Sequence, residues 1–314
     1  MQYQQIKSDL RGVAFTNPTP FDDTGDTIQH DKLADNVQHV VEAGGRLIIP
    51  CGNTGEYYSL TDQERISVVE TIVEAVGDTA TIVGGVGGST KSAIALAKAY
   101  EEQGADAIMI MHPVHTYQHQ AGLIEYYREI VESTDLGVVL YKRGQEVTHD
   151  LLADLTTYEN VVGVKYAVND IKGFAEAVST IEGDIVWSNG IAERYAPSFA
   201  IEGAEGFTTG IGNFIPERVI ELMDALEAEN WDHARELRDQ LRPLENLREE
   251  SGAGNSLSAA NNVPVVKHGM ELAGLYGGPV REPLVDLSTE DKQRTKEYYE
   301  QMTTGPTNTL PHDE

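Results

Sequence analysis

Cysteine is almost absent from this sequence. Cys51 stands alone among 314 residues, so no internal disulfide can form and a disulfide-stapled scaffold is excluded. Basic residues are scarce too: 23 lysines and arginines face 51 aspartates and glutamates, for a formal charge of −28. Nucleic acid and anionic membranes carry the same sign, which speaks against both as partners. No apolar run reaches the ~18 residues of a membrane-spanning helix, and the opening MQYQQIKSDL has no apolar core of signal-peptide length. The expectation is a soluble, cytoplasmic protein. The acidic residues are spread along the chain, and only ten of the basic residues are lysine. A cytosol with molar salt tolerates such a surface, because the Debye length there shrinks to about 3 Å. We therefore expect a halophilic protein.

Short runs rich in valine and isoleucine alternate with longer segments of helical period. The strand candidates are GVAFTNP (12–18), RLIIPCG (46–52), TIVGGVG (81–87), DAIMIMHP (106–113), GVVLYK (137–142), VVGVKYA (161–167), DIVWSN (184–189) and EGFTTGIG (205–212). Their nearly continuous apolar character suits strands covered on both faces. Between them, TDQERISVVETIVEAVG predicts a helix opening after Thr61 and stopping at Gly77, and STKSAIALAKAYEEQGA one running from a Ser89 cap to Gly104. Eight β-then-α units predict an α/β fold, a (β/α)8 TIM barrel over residues 1–225. A doubly wound open sheet is the alternative, but no glycine fingerprint follows the first strand. Residues 226–314 predict a C-terminal helical extension packed on the barrel, broken at 251–262, with a frayed polar tail from about 303.

In such a barrel, chemistry sits at the C-terminal ends of the strands. Lys165 lies there, inside the apolar run VVGVKYA. A buried charged lysine is costly without a partner or a purpose. Burial also lowers an amine's pKa by several units, and only a neutral amine can form a Schiff base. Lys91, Lys142 and Lys267 are weaker rivals, and a strand-end lysine reaching water is the structural alternative. Tyr141 ends the fifth strand, where a phenol can relay protons beside Lys165. CGNTGEYYSL (51–60) follows the second strand, and its glycines and small polar residues let backbone N–H groups face a carboxylate or phosphate. Cys51 has no base beside it and reads as a small buried residue. GGVGGSTKS is no phosphate loop, because Thr90 stands where glycine is required before the lysine. His112, His115 and His119 share one loop, but no carboxylate motif accompanies them, so no metal is expected.

Taken together, Lys165, Tyr141 and Gly52-Asn53-Thr54-Gly55-Glu56 resemble the dihydrodipicolinate synthase/N-acetylneuraminate lyase superfamily of Schiff-base lyases on (β/α)8 barrels. The likeness covers roughly residues 10–290, including GGPVREPL (277–284). It implies Lys165 as the Schiff-base lysine, Tyr141 as the proton relay, Thr54 as a third catalytic residue, and Gly190 closing the seventh strand. Dihydrodipicolinate synthases carry two threonines in the first loop, paired tyrosines after strand four and an arginine a few residues beyond the strand-five tyrosine. Here those places hold Asn53-Thr54, Val114-His115 and no arginine near Glu146, which sets the chain apart from them. GEYYSL, YKRGQ and TTGIGNFIP are instead similar to 5-dehydro-4-deoxyglucarate dehydratase, with Lys142 and Gly144-Gln145 as departures.

The resemblance implies a cofactor-free lyase, most simply a dehydratase, acting on a 2-oxo-3-deoxy sugar acid. Gly52, Asn53 and Gly55 would help hold the keto-acid carboxylate, and Arg143, Thr208 and Thr209 the distal hydroxyls or carboxylate. An aldaric acid substrate would also lose CO2. Retro-aldol release of pyruvate, dihydrodipicolinate synthesis and a non-catalytic sugar-acid binding protein stay open as alternatives. A homotetramer is the assembly that the resemblance suggests.

Overall fold

The structure, a computed structural model, describes residues 3–304. Its centre is a closed parallel barrel of β1 (Val13–Thr16), β2 (Leu47–Ile49), β3 (Thr81–Val86), β4 (Ala107–Ile110), β5 (Gly137–Lys142), β6 (Val161–Tyr166), β7 (Val186–Asn189) and β8 (Gly206–Thr209). β8 pairs with β1 to close the ring. Every strand residue is buried, as expected of parallel strands packed on both faces. This is the expected TIM barrel, with strand ends trimmed by a few residues. Around and beyond the strands run α1 (Gln4–Leu10), α2 (His30–Glu42), α3 (Asp62–Val76), α4 (Thr90–Gln103), α5 (Gln120–Val131), α6 (His149–Leu155), α7 (Ile171–Thr180), α8 (Ala196–Ile201), α9 (Pro216–Glu227), α10 (Trp231–Glu249), α11 (Asn262–Leu272) and α12 (Thr289–Thr304).

Local chemistry sets the helix ends. Thr61 opens α3 through a capping box with Glu64, satisfying two otherwise unpaired N–H groups. Ser89 caps α4, and Gly104 ends it in the left-handed region at φ 91°. α1 plugs the N-terminal end of the barrel: a Cβ on Gly137 would lie 2.8 Å from Ile6 Cδ1, and one on Gly206 2.2 Å from the Leu10 carbonyl. Sequence periodicity gives no hint of this plug, because so short a helix shows barely two turns.

Register sorts the side chains into two layers. Tyr141, Lys165, Ser188 and Gly206 pair across β5 to β8, and the next row is Lys142, Tyr166, Asn189 and Phe207. Successive strand residues face opposite sides, so the first row looks into the barrel and the second toward the helices. Tyr166 accordingly packs on Phe174 of α7 and Phe199 of α8.

α10 buries Leu237, Leu241, Leu244 and Leu247 in the same core as the strands. The chain breaks after α10, near the expected 251–262, but it also leaves helix between α11 and α12, which periodicity did not suggest. That second break carries Arg281, a hub whose side chain donates to the carbonyls of Gly25, Asp26 and Ser59 and to Glu64. α12 continues to Thr304, and the rest of the expected frayed tail lies outside the described residues. Among those residues no helix is long and apolar enough to cross a membrane.

Candidate active site

At the C-terminal mouth of the barrel lies a cavity of about 220 Å³, lined by Thr16, Asn53, Thr54, Tyr141, Arg143, Lys165, Gly190, Thr208, Thr209 and, from outside the barrel, Arg248 and Asn262. A second cavity of about 590 Å³ continues outward from it and shares Asn53, Tyr141, Arg143 and Asn262. Another of similar size, about 560 Å³, lies on the barrel's flank between α8 and α9, and no lysine or tyrosine lines it. Chemistry, not volume, distinguishes the mouth.

Lys165 is 7% exposed, and its Nζ sits 4.8 Å from the centroid of the Tyr141 ring. No carboxylate faces it. Desolvation first, then the guanidinium groups of Arg143 and Arg248, lower its pKa to about 7. A far larger share of such amines is therefore unprotonated near neutrality than the roughly one in 2500 of a free lysine. Gly190 makes the space: a Cβ there would lie 2.9 Å from Lys165 Cγ and 2.7 Å from Ala167 Cβ.

Tyr141 is held from two sides. Asn53 Nδ2 donates to its Oη at 3.0 Å and Arg143 Nη1 at 3.1 Å. With two donors on the oxygen, the phenol's own proton is left for the cavity. The hydroxyls of Thr54 and Thr16 lie 3.0 Å apart, and Thr16 Oγ1 donates to the Thr209 carbonyl at 2.6 Å. Thr16 Oγ1 thus bridges the Thr209 carbonyl on β8 and the Thr54 hydroxyl, tying the loop to the closing strand. Gly55 allows the loop to pass under Asn17, whose carbonyl would meet a Cβ at 2.9 Å. Gly52 carries no such constraint; its carbonyl accepts from Tyr57 N, closing the turn. Thr208 is on the barrel-facing side of β8. Thr209 also lines the cavity, but its hydroxyl accepts from Gly212 N at 2.8 Å, so what it offers inward is main chain.

The rival lysines have other occupations. Lys142 faces the helix layer and donates to the Val147 carbonyl at 2.6 Å. Lys267 pairs with Glu56 at 2.6 Å and donates to the Pro279 carbonyl. Lys91 is exposed on α4. Cys51 is buried, and desolvation pushes its thiol up to about 12, so it is no nucleophile. His115 and His119 accept from the backbone N–H groups of Tyr117 and Ala121, as caps of local turns. Among the described residues no group of three histidine, cysteine or acidic side chains is placed to hold a metal ion.

Sequence reasoning missed Thr16, Arg248 and Asn262. For Arg248 a signal existed. It falls four residues after Leu244 and seven after Leu241, on the apolar stripe of α10, where an arginine is out of place unless it has work inside.

Known proteins share this family and fold. The profile of the dihydrodipicolinate synthetase family matches residues 9–302. A protein of Acidovorax ebreus named "Probable 5-dehydro-4-deoxyglucarate dehydratase" is 31% identical over 93% of this chain and 95% of its own. The 4-hydroxy-tetrahydrodipicolinate synthase of Methanospirillum hungatei is 30% identical over 89% of this chain and 94% of its own. The crystal structure of dihydrodipicolinate synthase from Oceanobacillus iheyensis superposes with a TM-score of 0.91 at 34% identity, covering 96% of this chain and all of the other. Two differently named enzyme groups thus share this barrel at similar identity, and the chain belongs to the dihydrodipicolinate synthetase family.

Proposed function

We propose that the protein is a Schiff-base lyase that dehydrates a 2-oxo-3-deoxy sugar acid, with decarboxylation when the substrate is 5-dehydro-4-deoxyglucarate. The observation that carries this reading is Lys165: a buried amine with no counter-ion, lowered to about 7, beside an oriented tyrosine. Backbone N–H groups of Asn53 and Thr54 receive the substrate's first carboxylate. The neutral Lys165 amine adds to the C2 carbonyl, and loss of water leaves an iminium. That iminium accepts the electron pair released when a C3 proton departs, with Tyr141 as carrier. The resulting enamine pushes out the C4 hydroxyl, which leaves as water once protonated. In an aldaric substrate the far carboxylate is then lost as CO2, and hydrolysis of the iminium frees 2-oxoglutarate semialdehyde and Lys165. Arg143 and Thr208 stand where distal hydroxyls would reach. The reading needs no metal and no cofactor; the acidic composition supports a salt-rich cytoplasm, and the family resemblance supports a homotetramer.

Product analysis on 2-oxo-3-deoxy acids tests the proposal. Semialdehyde and CO2 from 5-dehydro-4-deoxyglucarate, unaffected by chelator, are the expected result. Accumulation of pyruvate would replace dehydration by aldol cleavage on the same lysine.

A further inference from the structure

The charge inventory of the cavity runs against that of the chain. The protein carries a formal −28, yet Arg143, Lys165 and Arg248 line this cavity with only Glu245 and Glu249 as acids. Both acids are taken: Glu245 by Arg248 at 2.6 Å and Glu249 by Arg194. Glu193, packed behind Glu245, has its carboxyl pushed up by burial and by Glu245, which disfavours a further negative charge there. Arg143 has no carboxylate partner among the described residues; it donates to Tyr141 Oη. Arg248 is balanced by Glu245, so the uncompensated charges are Arg143 and, once the Schiff base forms, the iminium on Lys165, which together exceed one substrate carboxylate.

Arg248 is built to be rigid. Its Nη1 donates to Glu245, its Nη2 to Asn262 Oδ1 at 2.9 Å and its Nε to the Asn262 carbonyl at 3.2 Å. Three of its five N–H donors are committed and two remain. The guanidinium lies on Gly210, where a Cβ would sit 2.5 Å from Nη2, so only glycine admits it after β8. The loop at Asn53 and Thr54 follows β2, across the ring from Lys165 on β6. A substrate whose C2 is at Lys165 and whose chain leaves past Gly190 and Thr208, both of which line the cavity, meets Arg248. Arg143, after β5, stays with the phenol.

We propose that Arg248 is a specificity-determining residue that binds a carboxylate at the far end of the substrate, so that the enzyme selects six-carbon 2-oxo diacids over the corresponding monoacids. This rests on Lys165 forming the Schiff base. The test is borohydride trapping, read by mass spectrometry, with 2-oxoadipate, 2-oxohexanoate and pyruvate as probes. The wild type is expected to trap pyruvate on Lys165 and to favour 2-oxoadipate over 2-oxohexanoate by about 10–100-fold, the range for hydrogen bonds to charged groups. Arg248→Met should erase that preference and Arg248→Lys restore part of it. Arg248→Met strands Glu245, so a Glu245→Gln/Arg248→Met double variant carries the same comparison if the single one does not fold. Equal trapping of the two acids by the wild type, or a preference that survives in the folded double variant, overturns the proposal while leaving the Schiff base standing. Absence of any pyruvate adduct on Lys165 overturns the Schiff base itself, and this inference with it.

Discussion

Two lysines of this protein are buried to a similar depth and lead opposite lives. Lys165, on β6, is 7% exposed, has no carboxylate beside it, and faces two guanidinium groups. Lys267, on α11, is 2% exposed and lies 2.6 Å from Glu56, with the Phe21 ring 4.4 Å away. Burial lowers both. At Lys267 the attraction of Glu56 works against that lowering, and Arg281 N donates to the same carboxylate at 2.9 Å. The difference teaches what burial alone does not: a buried lysine with an acid is a joint, and one among cations is destabilised as an ammonium, as the proposed nucleophile requires. The joint ties the C-terminal helices to the GNTGE loop, and so holds the loop that would receive the substrate carboxylate.

The comparison can be broken at either lysine. Replacing Lys165 by Met should lower turnover on the order of 10⁴-fold or more and abolish borohydride trapping, with thermal stability unchanged or raised because no partner is stranded. An adduct persisting at Lys142 or Lys267 would refute the assignment. Lys267→Met should do the reverse. It leaves the Glu56 carboxyl in the interior without its counter-ion, with the Arg281 N–H as its remaining donor, at a cost of about 3–5 kcal/mol. A Lys267→Met/Glu56→Gln variant should regain most of that loss. Denaturant melts of the two variants measure it, and equal stability of the single and double variants would mean the pair is no joint.

The pH dependence sharpens the same contrast. In the proposed mechanism Lys165 reacts as the neutral amine, and its pKa is lowered to about 7, so trapping with pyruvate should rise as pH increases through about 7 and level off above. Below that the rate falls about tenfold per pH unit, following the neutral fraction. A profile still climbing toward pH 10 would place an ordinary lysine there.

The smallest effect concerns the surface that surrounds both sites. With 51 acidic against 23 basic side chains, many like charges repel at low ionic strength. Net stability is only about 5–15 kcal/mol, so many small repulsions matter. Raising KCl from about 0.05 M to about 3 M screens them and should raise the melting temperature. A flat series would leave the acidity without a role in salt tolerance.

The barrel was legible because its strands are covered on both faces and so appear as apolar runs, alternating with helical segments of which two carry recognisable caps at Thr61 and Ser89. Lys165 and Tyr141 were legible for a related reason: polar atoms inside such runs have few structural excuses. Thr209 was only half legible, since sequence shows that it ends a strand but not that its hydroxyl is engaged by Gly212 N.

The sequence by itself therefore determined the fold and the placing of Lys165 and Tyr141 at strand ends, because each is encoded within one element or its period. Which lysine is free and which is paired was decided by tertiary structure alone. Glu56 and Lys267 are more than two hundred residues apart, and only packing of α11 against the β2 loop brings them to 2.6 Å. Arg248 likewise enters the cavity because α10 lies over the β8 end at Gly210. Pairing energies fall off over a few ångströms, and distances of that kind between remote segments exist only once the core has closed.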